Sequence, residues 1–172
     1  NLICTLNAIA ACSSEAPRLV VVGGNVSEIK AAFASSISER VLLLGRVSDE
    51  ELKALYMHAN AFLFPSITEG FGLPPLEAMH CGCPVVASMS GAMSEVCGDT
   101  VCYADPDKPE DWAASMEELA SDPNMREKIS ARACHRAAKF TWRRAAMQLL
   151  QAIAFVEDDR SLKTQLEALN AS

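Results

Sequence analysis

Hydrophobic and polar positions along this chain alternate between two patterns. Arg18-Leu-Val-Val-Val-Gly-Gly24 and Arg40-Val-Leu-Leu-Leu-Gly45 are short continuous apolar runs, which predict buried strands ended by glycines. Ala61-Phe-Leu-Phe-Pro65 predicts a third strand, stopped by its proline. Pro84-Val-Val-Ala-Ser88 predicts a fourth and Val101-Cys-Tyr-Ala104 a short fifth. Helical patterns lie between and after them. Ser48-Asp-Glu-Glu51 is a capping box, in which Ser48 and Glu51 satisfy each other's backbone N–H groups. The helix that follows puts Leu52, Leu55, Tyr56 and Ala59 on one face. A short helix between the third and fourth strands is opened by Pro74-Pro75 and closed by Gly82. From about Glu110 the chain turns helical, with Trp112, Met116 and Leu119 forming one stripe before Asp122-Pro123. Another helix runs to about Lys139, and Thr141 caps a further one carrying Met147, Leu150 and Ile153. Glu157-Asp-Asp159 marks a break, and Leu162, Leu166 and Leu169 suggest a last weak helix. Strands alternating with helices predict an α/β fold, a parallel sheet flanked by helices on both faces. Ligands of such folds bind beyond the carboxyl ends of the strands.

Composition narrows the picture. The 172 residues make about one domain. Half of them are hydrophobic, enough for a sizeable core. With 15 Lys and Arg against 22 Asp and Glu, the net charge is −7, which argues against a nucleic-acid partner. No apolar run is long enough to span a bilayer, and no secretory signal is visible at the start, so a cytoplasmic location is expected. Cys4, Cys12, Cys81, Cys83, Cys97, Cys102 and Cys134 are odd in number, irregularly spaced and without a C-x-x-C. They read as small hydrophobes in a reducing compartment rather than as disulfides or metal ligands. His58, His80 and His135 lie far apart on expected helices and read as surface or packing residues.

Chemistry concentrates in the loop after the third strand, Pro65-Ser-Ile-Thr-Glu-Gly-Phe-Gly-Leu-Pro-Pro-Leu-Glu77. Gly70 and Gly72 let a backbone approach a ligand closely, with φ/ψ values closed to other residues. The helix near Pro74 aims its free N–H groups and positive dipole end into the loop, which suits a phosphate. Glu69 in the loop and Glu77 in or near the first helical turn are acceptor-only carboxylates suited to sugar hydroxyls. Taken singly, each feature has an ordinary structural explanation: a glutamate compensating a helix dipole, glycines marking turns. Their coincidence at the ligand-binding end of a parallel sheet favours a site.

Glu69-Gly-Phe-Gly-Leu-Pro-Pro-Leu-Glu77, followed by Ala78-Met79 and Gly82-Cys-Pro-Val-Val-Ala-Ser88, resembles the E-x7-E segment of retaining glycosyltransferases of family 4, which have the GT-B fold. Leu19-Val-Val-Val-Gly23, Val41 to Leu52, Leu55-Tyr56, Phe64-Pro65-Ser66, Gly91, Glu95-Val96, Tyr103-Ala-Asp-Pro106 and Phe140-Thr-Trp142 extend the resemblance over most of the chain. The Gly-Leu-Pro-Pro-Leu-Glu wording is most similar to polysaccharide mannosyltransferases. The resemblance implies a Rossmann-like donor-binding domain over residues 1–156, with 157–172 as a helical tail. It implies that Glu77 holds the ribose hydroxyls of a nucleotide diphosphate sugar, and that Glu69 contacts the transferred sugar and helps to stabilise charge at the reacting carbon. Backbone N–H groups around Gly70, Phe71, Gly72 and Leu73 would bind the sugar or diphosphate, and backbone at Arg46 and Val47 would meet the base. The implied reaction is transfer of a hexose, with mannose a candidate, to a glycan or lipid-linked acceptor. Configuration would be retained, with no cofactor and no obligatory metal.

The family pattern also has a first strand ending in an Arg and a Lys, and an N-terminal domain carrying the acceptor site. This sequence instead opens with Asn1-Leu-Ile-Cys-Thr-Leu-Asn-Ala-Ile-Ala10, which resembles the helix after that strand. The chain is therefore expected to be part of a larger enzyme, inactive and weakly binding by itself, whose full-length form could sit peripherally on the cytoplasmic face of a membrane. Exposed strand edges are expected beside the first strand's place. Two other functions compete. One is a catalytically silent α/β nucleotide-binding or assembly module; the intact Glu69/Glu77 pair weighs against it. The other is a different enzyme on a similar fold, such as a phosphorylase or epimerase. No lysine lies between Lys53 and Lys108 to serve as a phosphorylase's cofactor lysine, and Gly23-Gly24-Asn25 is not a dinucleotide-binding turn.

Overall fold

The computed structural model describes residues 1–13, 18–31, 39–89 and 91–156. The last helix expected from Leu162, Leu166 and Leu169, and the tail 157–172, lie outside the described residues. The chain divides into two compact units, Asn1–Ala137 and Ala138–Ser172. The first contains α1 (Leu2–Ala11), β1 (Leu19–Val22), α2 (Val26–Ala31), β2 (Val41–Gly45), α3 (Asp49–His58), β3 (Phe62–Phe64), α4 (Leu73–His80), β4 (Val85–Ser88), α5 (Met93–Cys97), β5 (Cys102–Ala104), α6 (Pro109–Ser121) and α7 (Pro123–Ala137). The second contributes α8 (Trp142–Val156). Its expected cap is present, with the Arg144 N–H donating to Thr141 Oγ1 at 3.1 Å.

All five expected strands form, and every pairing is parallel. They make two ladders rather than one, β1-β2 and β3-β4-β5. One layer of helices serves both. Helix α1 packs on α6, and Cys4, Ala8, Ile9 and Cys12 of α1 share a core with Trp112, Ala113, Met116 and Leu119 of α6. Leu19 of β1 and Val41 of β2 pack against this core, as do Leu63 of β3, Val86 of β4 and Cys102 of β5. The stripe read from Trp112, Met116 and Leu119 is therefore the centre of the domain. Trp112 is fully buried, and its indole N–H donates to the Asp105 carbonyl at 2.8 Å, so its one polar group is satisfied.

The apolar runs of β1 and β2 predicted strands buried on both faces, and there the structure differs. Leu19 and Val41 face the α1–α6 layer, whereas Val20, Val22, Leu42 and Leu44 remain exposed. Among the described residues no ladder joins either strand to β3, so this pair is covered on one face and alternates in burial. Strand β4 behaves as expected of a central strand. It is paired on both sides, and all four of its residues are buried. Its other face is covered through α4, which packs on β3, β4 and α7.

The capping box at α3 forms as read. Ser48 Oγ accepts from the Glu51 N–H at 3.2 Å, and Glu51 Oε2 accepts from the Ser48 N–H at 2.7 Å. Replacing Ser48 by alanine removes one of these bonds and should lower stability by about 1 kcal/mol. A matched pair of urea unfolding curves measures this.

Candidate functional site

The loop 65–72 leaves the carboxyl end of β3 and enters α4, where the Rossmann rule places ligands. Its last residue, Gly72, is the N-cap of α4 in the left-handed region, φ 88° and ψ 55°. A helix begins with orphan N–H groups. Here Pro74 and Pro75 have no N–H to offer, so Gly72 and Leu73 carry the donors ahead of the first intrahelical bond. The positive end of α4 is thus concentrated at two of the four residues that the resemblance assigns to sugar or diphosphate binding.

Gly70 differs from its expectation. It alone of the eight glycines has no positive φ, and a Cβ built there meets nothing within 4 Å. Its backbone therefore does not require glycine, and the conformational demand in this loop rests on Gly72. Glu69 is half-buried, whereas Phe71 and Leu73 are exposed. Glu77 also sits differently from the reading of its place near the first turn. It belongs to the second turn of α4 and is exposed, so it does not serve as a first-turn dipole partner. It has a neighbour on another helix. Tyr56 of α3 is close enough that the Glu77 carboxylate helps to raise the phenol's pKa, second to burial, to about 12.

Arg46 and Val47 follow β2, after Gly45 with φ 68°. Arg46 is exposed and Val47 half-buried. They stand at the end of a strand in the other ladder, directly before the Ser48 cap of α3. Helix α3 packs on α4, so α3 links the Arg46–Val47 segment to the helix carrying Glu77.

Sequence reading missed the loop after β4. A Cβ on Gly91 would stand 2.6 Å from the Glu69 carbonyl oxygen, and one on Gly72 would stand 2.0 Å from Met93 Cε. In the sequence Gly91 is only part of a recurring pattern, and nothing distinguishes Met93. Neither has a local signal, because both contacts join segments some twenty positions apart in the chain. Ser88, at the carboxyl end of β4, is fully buried with no hydrogen-bond partner for Oγ among the described residues.

The cysteines behave as small hydrophobes. All seven are free, and burial raises the thiol pKa of Cys4, Cys12, Cys81, Cys83, Cys97 and Cys102, that of Cys83 to about 12. Among the described residues no three His, Cys, Asp or Glu side chains group as a metal site would require. No helix there is long and apolar enough to cross a membrane. The chain's two tyrosines give a pH prediction. Burial first, and nearby negative groups next, raise both Tyr56 and Tyr103 from near 10 to about 12. A raised folded-state pKa gives stability that is complete below the unfolded value and is lost on the way up to the folded one. Stability should therefore fall between about pH 10 and pH 12, and tyrosinate absorbance should be delayed in the folded protein until that range. A spectrophotometric alkaline titration checks both.

The family model described as "Glycosyl transferases group 1" matches residues 3–136, spanning both ladders and the whole Glu69–Glu77 segment. The chain belongs to this family. Over 109 residues it is 42% identical to O-antigen chain mannosyltransferase B of Escherichia coli, covering 63% of this chain and 29% of that one. Among solved structures it is similar to a sucrose-phosphate synthase from Thermosynechococcus elongatus, with TM-score 0.77, 24% identity and coverage of 90% of this chain and 42% of that one. It is likewise similar to Anabaena Alr3699/HepE in complex with UDP, with TM-score 0.78, 22% identity and coverage of 88% and 44%. At such identities the two structures speak for the fold, that of the GT-B glycosyltransferases. This group 1 chain therefore spans less than a third of its curated mannosyltransferase relative and less than half of either solved chain.

Proposed function

We propose that this chain is the donor-binding half of a retaining glycosyltransferase of family 4, acting on a nucleotide diphosphate sugar. The observation that carries the reading is the Glu69–Glu77 segment. It joins β3 to α4 with a left-handed Gly72 at the helix N-terminus, inside the stretch matched by the family model. Gly72 and Leu73 N–H groups, with the positive end of α4, meet the diphosphate and steady charge on the leaving group. Phe71 lines the approach. The exposed Glu77 accepts from the ribose hydroxyls, and Glu69 faces the transferred sugar and stabilises positive charge developing at its anomeric carbon. Arg46 and Val47 offer backbone to the base. The transferred hexose is mannose, a reading supported by the mannosyltransferase named above and by the resemblance of Gly72-Leu-Pro-Pro-Leu-Glu77 to polysaccharide mannosyltransferases.

The acceptor is a glycan or lipid-linked sugar bound by a partner domain of the full-length enzyme, which works in the cytoplasm or against the cytoplasmic face of a membrane. Because a nucleoside diphosphate can be neutralised by helix N–H groups and cations, transfer does not need a divalent metal. The test is a transfer assay on the full-length enzyme with GDP-, UDP- and ADP-sugars, with product anomers followed by NMR. The expected result is turnover with one donor, retention at the anomeric carbon and no loss on adding a chelator. An inverted product, or no turnover with any donor, would sink the reading.

A further inference from the structure

The β3–α4 loop and the β4–α5 segment interlock through two glycines. At Gly72, on the first, the missing side chain is where Met93 of α5 enters; a Cβ would lie 2.0 Å from Met93 Cε and 3.0 Å from Sδ. At Gly91, on the second, the missing side chain is where the first loop enters; a Cβ would lie 2.6 Å from the Glu69 carbonyl oxygen and 3.5 Å from its N. Real Cβ atoms do not approach backbone so closely. Each segment thus gives up a side chain at the point where the other arrives.

The α5 side of this lock is held firmly. Met93 is fully buried. Tyr103 of β5 places its hydroxyl 3.1 Å from the Met93 carbonyl and 2.8 Å from the Gly98 carbonyl, at the two ends of α5. With one proton it donates to one of them at a time. From α7, the Arg136 guanidinium donates to the Val96 carbonyl at 2.7 Å and to the Glu95 carbonyl. A five-residue helix has little stability of its own, so these outside bonds fix it.

We propose that Gly91 and Met93 are positioning residues for the sugar-facing end of the donor site, setting the backbone of Glu69 and of Gly72 from the β4–α5 side. The inference rests on the reading of Glu69 as the sugar-contacting carboxylate. It goes beyond that reading by assigning a role to a segment outside E-x7-E. The lock bears on residues 69–72, whereas Glu77 lies further along α4 and is exposed, out of reach of both contacts. Disturbing the lock should therefore misplace the sugar end and spare the nucleoside end.

The experiment uses the full-length enzyme with Gly91→Ala, Gly91→Asn, Met93→Ala, Met93→Leu and Glu77→Gln. Transfer kinetics and the affinity for the free nucleoside, read as its inhibition constant, are measured on each. Gly91→Ala should lower kcat by roughly 10- to 100-fold, as misplacement of about 1 Å does. Free nucleoside affinity should stay within about twofold, since only the sugar and diphosphate end is disturbed. Asparagine tolerates a positive φ yet carries the same Cβ, so Gly91→Asn should be impaired like Gly91→Ala. Met93→Ala, which takes the prop from Gly72 without adding any collision, should show the same split even if the Gly91 variants do not fold. Met93→Leu should recover most of the loss. Wild-type kcat in Met93→Ala or in folded Gly91→Ala overturns the proposal, as does full activity in Gly91→Asn. So does a parallel loss of kcat and free nucleoside affinity. If Glu77→Gln leaves free nucleoside affinity unchanged, the donor-site reading itself has failed, and the positioning role falls with it.

Discussion

Replacing Glu77 by alanine should weaken nucleotide-sugar binding by about 2–3 kcal/mol, roughly 30- to 150-fold, and leave the fold untouched. The magnitude is that of charge-assisted hydrogen bonds lost from a ribose diol, whose two donors one carboxylate can accept together. The selectivity follows from where Glu77 stands. It is exposed in the second turn of α4, and its side chain enters no hydrogen bond or ion pair among the described residues. Removing an exposed side chain that holds nothing in place typically shifts stability by no more than about 0.5 kcal/mol. Calorimetric titration with the donor, beside a thermal unfolding curve, separates the two quantities. A large fall in stability, or unchanged affinity, would show that Glu77 is a surface residue of α4 and nothing more.

Gly72→Ala should lose both, with a loss of stability of about 3 kcal/mol, and donor binding lost along with the geometry of the loop. Two costs combine. A φ of 88° lies where a Cβ is disfavoured, at about 1–2 kcal/mol. The new methyl would also collide with Met93 Cε at 2.0 Å, and Met93 is fully buried with little room to retreat, so overpacking adds about 1–3 kcal/mol. The costs can be told apart. Combining Gly72→Ala with Met93→Ala removes the collision and keeps the φ penalty, so the double variant should be less destabilised than the sum of the singles. Denaturant unfolding of the four proteins in the cycle measures the coupling. Strict additivity would mean that Met93 does not press on Gly72.

These residues also show what sequence can and cannot reveal here. Capping at Ser48 and Glu51, the apolar stripe of α6 and the strand–helix alternation are local patterns, each a property of a few consecutive residues. The structure reproduces them with a shift of a residue or so at the ends. The nine-residue Glu69–Glu77 segment was legible for the same reason: its glycines, prolines and carboxylates are contiguous. Burial on β1 and β2 was misread because an apolar run states what a strand could bury, while coverage depends on which helices and strands lie beside it. Gly70 and Gly72 look alike in sequence, yet only Gly72 sits at the helix entry and needs a positive φ. The contact of Gly91 with Glu69 was invisible because the two lie on loops after neighbouring parallel strands, twenty-two positions apart.

Binding of a nucleotide diphosphate sugar along the Glu69–Glu77 segment can be read residue by residue from backbone amide NMR of the isotope-labelled protein during titration with GDP-, UDP- and ADP-sugars. Saturable shifts are expected from one donor at Arg46 and Val47, at Gly70 through Leu73 and at Glu77, with α6 and the exposed face of β1 and β2 left unmoved. Shifts confined to other surfaces, or none from any donor in the full-length protein, would contradict binding there.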